Sequence, residues 1–310
     1  TPMTQTSLPL VSIGIPTYNR ADGFLKQALQ SAVDQTYPHL EIIIADNCST
    51  DDTEGVVSSF KDPRINYFKH AQNIGAANNF NFCLDQAQGA YFLMLHDDDL
   101  IDPDFVTVCM KKAQYNTELG VIRTGAREID GQGRLLHQTR NQVDGLSTAD
   151  FFRGWFKYKT SFYLCSTLFN THRLKELGGL HSKHNLLQDG VAIVQLAAKY
   201  GRADVEEVKA SFRKHEGELT FAAKVGDWCD DFLSLLDLMV ALAPDSKAQI
   251  REEGMRFFAE VCYKRAKAVK SSSQRRLAYL VVYRKFKFRY IPPPIYYFIQ
   301  RRLEFIGSRA

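Results

Sequence analysis

The sequence lacks closely spaced cysteine pairs of the kind that hold zinc. Its six cysteines are spread along 310 residues without a C-x-x-C pair, a usage that suits a reducing compartment. Residues 1–8 contain neither a basic n-region nor an apolar h-region, so we expect no signal peptide. No uncharged apolar run approaches the roughly 18 residues that span a bilayer. From these absences we expect a protein of the cytoplasm.

The two glycine-rich motifs that most often hold nucleotides in α/β proteins are also missing. There is neither a G-x-G-x-x-G fingerprint nor a G-x-x-x-x-G-K-[ST] loop, so a dinucleotide-binding fold and a P-loop are both unsupported. With 310 residues, 45% of them apolar, the chain is nonetheless long enough to bury a large core. We expect one large globular domain with an appended segment.

Short apolar runs alternate with helical patterns along the first half of the chain. The runs predict strands at residues 10–16, 40–46, 65–70 and 90–95. Between them, apolar residues recur at helical spacing, for example at Leu25, Ala28, Leu29 and Ala32. A nearly continuous apolar run such as LEIIIAD is typical of a parallel strand that is covered on both faces. The pattern therefore predicts an α/β fold.

Three consecutive aspartates, Asp97, Asp98 and Asp99, follow the fourth predicted strand. Adjacent carboxylates repel one another, so a cation, a helix N-terminus or solvent has to offset their charge. Ligands of open α/β sheets bind in the crevice beyond the carboxyl ends of the strands. This position favours a binding site over a solvated loop.

Other polar residues follow the first three predicted strands and should lie at the same edge of the sheet. Pro16 to Arg20 follow the first strand, Asp46 ends the second, and Asn73 follows the third. An acid such as Asp46 can accept a hydrogen bond from a base or a ribose, and Tyr18 offers an aromatic face. A divalent cation on the aspartates would neutralise a diphosphate. A nucleotide is therefore a ligand that fits these residues.

Five segments carry a resemblance to a known family. In chain order they read VSIGIPTYNR, EIIIADNCSTDDT, NIGAANNFNFCLDQAQGAYFLMLHDDD, LLQDGVAIVQLAAKYG and FRKHEGELT. Together they resemble the family 2 glycosyltransferases with the GT-A fold, over about residues 9 to 221. That fold is Rossmann-like, with a mostly parallel sheet and helices on both faces. The resemblance implies a catalytic domain at residues 1–225, and a helical region follows it at residues 226–310.

The resemblance also implies which residues hold a nucleotide-sugar donor. Asp46 matches the acid that contacts the nucleobase, and Asp97 and Asp98 match acids that reach the ribose or the sugar. Together with the polar residues at the strand ends, the resemblance predicts a donor site of eight residues. These are Pro16, Thr17, Tyr18, Arg20, Asp46, Asn73, Asp97 and Asp98.

The metal ligands and the catalytic base are implied in the same way. Asp99 matches the carboxylate that reaches the metal, and His215 matches a histidine that completes the metal shell in several members. Asp189, at the start of a predicted helix, matches the catalytic base. The chain departs from the family pattern on both sides of Asp189, because Gln188 replaces the usual Glu and Gly190 replaces a common aromatic residue.

Sugar transfer needs this set of residues on chemical grounds. Breaking the bond between the anomeric carbon and the phosphate oxygen builds negative charge on the diphosphate, which a divalent cation stabilises. The acceptor hydroxyl is a weak acid, so a carboxylate has to take its proton as the new bond forms. A base opposite the leaving group makes the displacement invert the anomeric centre. Oxygen ligands suit Mn²⁺ or Mg²⁺, and a histidine ligand favours Mn²⁺.

Each of these residues also has a structural interpretation. Asp46 and Asp189 are suited to cap helices, and His215 has the charged neighbours of a surface histidine. Arg20 and Arg123 fit structural or solvated roles better than a diphosphate clamp. Three aromatic residues either line an acceptor site or pack in the core, and these are Trp155, Phe156 and Tyr158.

The C-terminal region is basic and aromatic. From Lys264 onwards there are thirteen Lys and Arg residues and one acid, so this segment carries +12 and the rest of the chain −8. Aromatic residues lie among these charges, at Tyr279, Tyr283, Phe286, Phe288, Tyr290, Tyr296, Tyr297, Phe298 and Phe305. Such segments suit an anionic membrane surface, and many family members act on lipid-linked acceptors. We favour this interpretation over an intramolecular cap, an oligomer contact or a nucleic-acid patch.

The sequence thus predicts a metal-dependent inverting glycosyltransferase that uses a UDP-sugar or, as second choice, a dTDP-sugar. The predicted acceptor is a glycan or a lipid-linked saccharide, and the predicted location is the cytoplasm or the inner face of the cell membrane. The alternative is a non-catalytic sugar-nucleotide or glycan binding module on the same fold. A nucleotidyltransferase, which would release pyrophosphate, is a third interpretation.

Overall fold

A mixed β-sheet organises the first of two structural units. The computed structural model describes residues 8–215 and 224–292. Of these, residues 8–181 and 188–215 belong to the first unit, and residues 182–187 and 224–292 belong to the second. All strands of the described residues lie in the first unit.

Four parallel strands form the first half of the sheet, in the order β3-β2-β1-β4. They are β1 (Val11–Thr17), β2 (Leu40–Asp46), β3 (Ile65–Lys69) and β4 (Tyr91–Met94). Every residue of β1 and β4 is buried, as expected for strands that are covered on both faces. Each strand lies within one residue of its predicted bounds, so these four predictions are confirmed.

Helices follow the first three of these strands. They are α1 (Phe24–Val33), α2 (Thr53–Ser58) and α3 (Ala76–Gln86). Helix α1 buries the predicted apolar face of Leu25, Ala28, Leu29 and Ala32. Gly14 of β1 allows α3 and β4 to pack tightly, since a Cβ there would lie 2.8 Å from Cys83 Cβ and 2.7 Å from the Phe92 ring.

The second half of the sheet continues from β4 in the order β8-β6-β9-β5, with β7 paired to β6. These strands are β5 (Leu100–Ile101), β6 (Val121–Ile129), β7 (Leu135–Thr139), β8 (Thr167–Asn170) and β9 (Arg202–Arg213). Strands β6 and β9 are parallel, whereas the other pairings of this half are antiparallel. The prediction of a mostly parallel sheet therefore holds for β1 to β4, whereas the sheet as a whole is mixed.

Helices and one short 3₁₀ turn accompany this second half. They are α4 (Phe105–Lys112), α5 (Thr148–Phe156), the 3₁₀ turn Leu164–Ser166, α6 (Thr171–Glu176) and α7 (Gln188–Tyr200). Trp155 of α5 stacks on Phe162 with ring centroids 4.4 Å apart, and Phe156 is buried. These two aromatic residues pack inside the first unit, whereas Tyr158 is exposed.

A buried ion pair joins β6 to β9. Arg123 Nη1 lies 3.5 Å from Asp204 Oδ1, and Arg123 Nη2 donates to Thr160 Oγ1 at 3.0 Å. Burial lowers the pKa of Arg123 to about 10. The Arg123 side chain is shielded from solvent. These contacts agree with a structural role for Arg123 and not with a diphosphate clamp.

Three helices form most of the described part of the second unit. They are α8 (Val225–Leu242), α9 (Lys247–Lys267) and α10 (Ser272–Lys285), with a 3₁₀ turn at Pro244–Ser246. The predicted division after residue 225 falls at the start of α8, and the segment Ser182–Leu187 also belongs to this unit. None of the helices among the described residues is both long and apolar enough to cross a membrane.

Asp231 of α8 anchors the segment Ser182–Leu187. Its buried carboxylate accepts hydrogen bonds from Ser182 Oγ at 2.5 Å, His184 N at 2.7 Å and Leu186 N at 3.1 Å. The acid thus accepts from two backbone donors and one hydroxyl of this segment, which holds the segment against α8.

Asp231→Ala should lower the free energy of unfolding by roughly 2–4 kcal/mol, because it removes three hydrogen bonds to a buried carboxylate. Urea denaturation at pH 7 measures the change. Asp237→Ala is the matched control on the same helix, since Asp237 is exposed and forms a surface pair with Arg251; it should change stability by less than about 0.5 kcal/mol. Equal stabilities for the two variants would contradict the anchoring role.

Candidate active site

The carboxyl ends of β1 and β4 bring Thr17 and Asp97 together. Thr17 Oγ1 donates to Asp97 Oδ2 at 2.7 Å, and Arg20 Nε lies 4.0 Å from Asp97 Oδ1. The contact follows from the topology, because β1 and β4 are parallel neighbours. Burial and the adjacent charge of Asp98 raise the pKa of Asp97 to about 7. Three residues of the predicted donor site therefore lie side by side.

Asp98 faces His215, which follows β9. Asp98 Oδ2 lies 2.9 Å from His215 Nε2, and the His215 ring packs 5.0 Å from the Phe24 ring. The His215 side chain is only 12% exposed, so it is not a solvated surface histidine. Two residues that are 117 positions apart in the chain thus form the closest acid–imidazole pair of this edge.

Asp99 turns towards the interior of the unit. Its Oδ1 accepts a hydrogen bond from Arg213 N at 2.9 Å, and the Cys165 thiol also bonds to this carboxylate. Burial and the charge of Asp98 raise the pKa of Asp99 well above its usual range. Asp99 is therefore tied to β9 and to the 3₁₀ turn as well as being the predicted metal ligand.

His96 was not predicted as a site residue, yet it completes a group of possible metal ligands. One ring nitrogen of His96 and one carboxylate oxygen each of Asp98 and Asp99 lie within 4.8 Å of one another. His96 Nε2 is buried and has no hydrogen-bond partner among the described residues. Burial lowers the pKa of His96, partly offset by Asp98, so the ring is neutral at pH 7 and able to bind a cation. The one feature of the sequence that points to His96 as a ligand is its position directly before the three aspartates.

The donor set fits a divalent cation. Carboxylate oxygens and neutral imidazole nitrogens are both common ligands of Mn²⁺, and carboxylates also suit Mg²⁺. The unpartnered nitrogen of His96 is the kind of buried polar atom that a bound ion would satisfy. Among the described residues, His96, Asp98 and Asp99 form the group that would hold such an ion. His215 is not part of this group, although its Nε2 lies 2.9 Å from Asp98 Oδ2.

Asp46 and Asn73 lie at the ends of the neighbouring strands and make local hydrogen bonds. Asp46 is fully buried, and it accepts from Ser49 N at 2.8 Å and from Tyr67 Oη at 2.6 Å. Asn73 Oδ1 accepts from Asn47 Nδ2 at 3.0 Å. These bonds hold the loops that follow β2 and β3.

Pro16 and Tyr18 have different surroundings at the end of β1. Pro16 is buried within the strand, opposite Ala45 of β2. Tyr18 leaves 46% of its surface exposed. Of the predicted donor residues at this strand end, Tyr18 is the one with an aromatic face open to a ligand.

Asp189 lies in the first turn of α7 and is half-buried. Its Oδ1 accepts from the N–H of the next residue, Gly190, at 2.7 Å. A helix cap accepts instead from a residue two or three positions further on, so this contact does not match the capping interpretation. Burial raises the pKa of Asp189 to about 6.

Tyr163 connects the surroundings of Asp189 to those of the aspartate run. Its hydroxyl donates to Glu128 Oε1 at 2.7 Å. Burial, Glu128 and, more weakly, Asp189 raise the pKa of Tyr163, which places the Asp189 charge near this ring. Cys165, two residues further on, bonds to Asp99. Sequence reasoning missed Tyr163, Glu128 and Cys165, because no motif marks them.

Comparison with known proteins finds a family model and several relatives that match this chain. The sequence model described as "Glycosyl transferase family 2" matches residues 12–174. The chondroitin synthase of Escherichia coli is 32% identical over 140 residues, which are 44% of this chain and 20% of that enzyme. Three similar curated relatives are matched over only 13% to 21% of their own length.

Solved structures share the fold. Residues 1–349 of Staphylococcus aureus TarS, in complex with UDP-GlcNAc, superpose with a TM-score of 0.64 at 16% identity, covering 89% of this chain and 80% of that one. A mannosyltransferase from Pyrobaculum calidifontis, in complex with GDP-Man and Mn²⁺, gives a TM-score of 0.52 at 18% identity, with coverages of 92% and 84%.

Asp189→Asn should raise the free energy of unfolding at pH 7.5 by roughly 1–3 kcal/mol, because it removes a carboxylate that burial disfavours. The folded pKa of about 6 exceeds the usual value of 3.8, so the cost of the charge is absent below about pH 4 and complete above about pH 6. Urea denaturation of the wild-type protein and of Asp189→Asn between pH 5 and 8 should show their difference in free energy of unfolding increase with pH and then become constant. A difference that does not change with pH would contradict the assigned pKa.

Proposed function

The chain belongs to glycosyl transferase family 2, whose sequence model matches 163 of its 310 residues, and we propose that it moves a sugar from a nucleotide-diphosphate sugar to a hydroxyl of a saccharide acceptor. It is a glycosyltransferase with an α/β fold of the GT-A type. The observation that best supports the proposal is the junction of Asp98 and His215 at the end of β4, beside Asp97, Thr17 and Arg20.

The donor is bound along the carboxyl edge of β1 to β4. Tyr18 stacks on the nucleobase through its exposed ring, and Asp46 and Asn73 order the loops that border the base and ribose. Thr17 and Arg20 hold Asp97 towards the ribose or the sugar. Pro16 shapes the end of the strand from which these residues project.

A divalent cation, Mn²⁺ or Mg²⁺, supplies the positive charge that stabilises the leaving diphosphate. Asp98, His215 and Asp99 hold it in this proposal. Asp98 lies 2.9 Å from His215, so we assign it a more direct part than the family resemblance alone implies. Asp99 contributes through the carboxylate that Arg213 N and Cys165 keep in place.

Asp189 takes the proton of the acceptor hydroxyl. With a pKa of about 6, its carboxylate is ionised at neutral pH and yet more basic than an ordinary aspartate, which favours proton transfer. Gly190 N fixes the orientation of Oδ1. Attack from the side of Asp189, opposite the diphosphate, inverts the anomeric centre. We assign acceptor binding to the buried Gln188 amide, because its Nε2 has no partner among the described residues.

The proposed donor and acceptor are based on the similar sequences and on the solved structures that share the fold. UDP-sugars are our first choice of donor, because the TarS structure contains UDP-GlcNAc, and dTDP-sugars are the second. The relatives named chondroitin and hyaluronan synthases support an acceptor that is a growing polysaccharide, either free or lipid-linked.

In the presence of Mn²⁺ and a UDP-sugar, the protein should release UDP slowly even without acceptor, by hydrolysis. Asp189→Asn should bind the donor normally and lower transfer about 10²- to 10⁴-fold, because a general base contributes that factor. Coupled detection of UDP and calorimetric titration of the donor measure the two quantities. Asp237→Asn, at an exposed position of α8, serves as the control.

Near-normal turnover of Asp189→Asn would remove Asp189 from the mechanism. Tight donor binding with no UDP release by the wild-type protein would instead identify a non-catalytic binding module, and release of pyrophosphate would identify a nucleotidyltransferase.

We also propose that α10 and the residues after it contact an anionic membrane surface. Residues 272–292 contain six Lys and Arg and no acid. Tyr279, Val282 and Phe286 are buried, so these side chains belong to the interior of the second unit. The same segment exposes large apolar residues, namely Leu277 at 62% and Leu280 at 49% on α10, and Phe288 at 60% and Ile291 at 47% after it. Tyr296, Tyr297, Phe298 and Phe305 lie outside the described residues.

Apolar side chains among basic side chains match the headgroup region of an anionic bilayer. Each Lys or Arg near such a surface contributes about 1 kcal/mol. The inner face of the cell membrane is the corresponding location in a cell, and it would present lipid-linked acceptors to the enzyme.

The intact protein should sediment with vesicles that contain anionic lipid, and less so at high salt. A triple variant, Leu277→Ser with Leu280→Ser and Phe288→Ser, should lose most of this binding because its exposed apolar groups are gone. Leu135→Ser with Leu136→Ser is the matched control, since both residues are similarly exposed on β7. Equal sedimentation of the two variants, or no binding by the intact protein at low salt, would refute membrane contact.

A further inference from the structure

We propose that His96 is a direct nitrogen ligand of the active-site cation, which gives the site two imidazole ligands and a preference for Mn²⁺ over Mg²⁺. The inference rests on the proposed function, since it concerns the same cation. It begins from two independent observations. One ring nitrogen of His96 lies within 4.8 Å of carboxylate oxygens of Asp98 and Asp99, and Nε2 is buried with no partner among the described residues.

Packing alone does not account for a histidine at this position. The His96 ring lies against Phe80, with centroids 4.7 Å apart, and an apolar side chain would make that contact equally well. A buried ring nitrogen without a partner costs roughly 1–3 kcal/mol. The cost is offset if the nitrogen has a partner in the working state of the protein, and a cation held by the two adjacent carboxylates is such a partner.

The spacing of the donors is suited to a shared ion. Ligand atoms around one octahedral cation are separated by up to about 4.2 Å when metal–ligand bonds are about 2.1 Å long. The 4.8 Å limit of the His96, Asp98 and Asp99 group therefore requires only a small contraction. His215 Nε2 lies 2.9 Å from Asp98 Oδ2 but is not part of that group, so its ligation requires a larger movement than that of His96.

Two nitrogen ligands have a consequence for metal choice. Mg²⁺ prefers oxygen ligands and keeps several waters, whereas Mn²⁺ accepts imidazole. A site with His96 and His215 beside two aspartates should therefore bind Mn²⁺ with a larger advantage over Mg²⁺ than a site with one histidine. Replacing His96 by a carboxylate should reduce that advantage.

Pulsed electron paramagnetic resonance of Mn²⁺ bound to the full chain, with and without UDP, counts the coupled ¹⁴N nuclei. We expect two histidine nitrogens in the wild-type protein, and one in each of His96→Asn and His215→Asn. His96→Asn should bind Mn²⁺ roughly 10- to 100-fold more weakly, since even the loss of a residue that only supports a ligand has this effect. His96→Asp should shift the ratio of Mn²⁺ to Mg²⁺ affinity towards Mg²⁺. His172→Asn, at an exposed position, is the control and should keep both nitrogens.

The wild-type count tests the inference even where a variant fails to fold. A single nitrogen in the wild-type protein overturns the site with two imidazole ligands, and an unchanged count in folded His96→Asn overturns the role of His96 as a ligand. Sugar transfer in the same preparation shows that the proposed function stands in that case. Absence of Mn²⁺ binding, with or without UDP, overturns both the inference and the metal dependence.

Discussion

Three carboxylates in a row at the end of a buried strand are the constraint on which the rest of the site depends. Like charges at this spacing repel, and the fold gives each acid a different set of partners. Asp97 is held by Thr17 and Arg20, Asp98 faces His215, and Asp99 is fixed by Arg213 N and Cys165. Strand β1 contributes to the first set and β9 to the others, so the order of the strands decides the chemistry of this edge.

The part of the fold that the sequence predicts well is the part made by local patterns. Strands β1 to β4 are continuous apolar runs, and α1 has a regular apolar face, so both appear within a short window of sequence. Strands β6, β8 and β9 pair across long separations, as in the contact of Val121 with Phe169 and Arg202. No local pattern determines such pairings, and this is why the mixed half of the sheet was not predicted.

The same distinction applies to the site. Asp97, Asp98, Asp189 and His215 are visible because their types and order match a family pattern. Tyr163 approaches Asp189, and Cys165 reaches Asp99, only because a 3₁₀ turn places them there. Composition also could not divide the aromatic residues of α10 into buried and exposed groups, since that division depends on which face of the helix packs within its unit.

The anchoring of Ser182–Leu187 by Asp231 has a consequence for dissecting the protein. The chain passes between the two units three times, and one of these passages is the peptide bond between Leu187 and Gln188, directly before α7. A fragment that ends before α8 keeps every strand of the described sheet, but the segment leading into α7 loses the acid that orders it. Removing the second unit therefore also removes contacts that hold the approach to α7, and no single cut of the chain separates the two units.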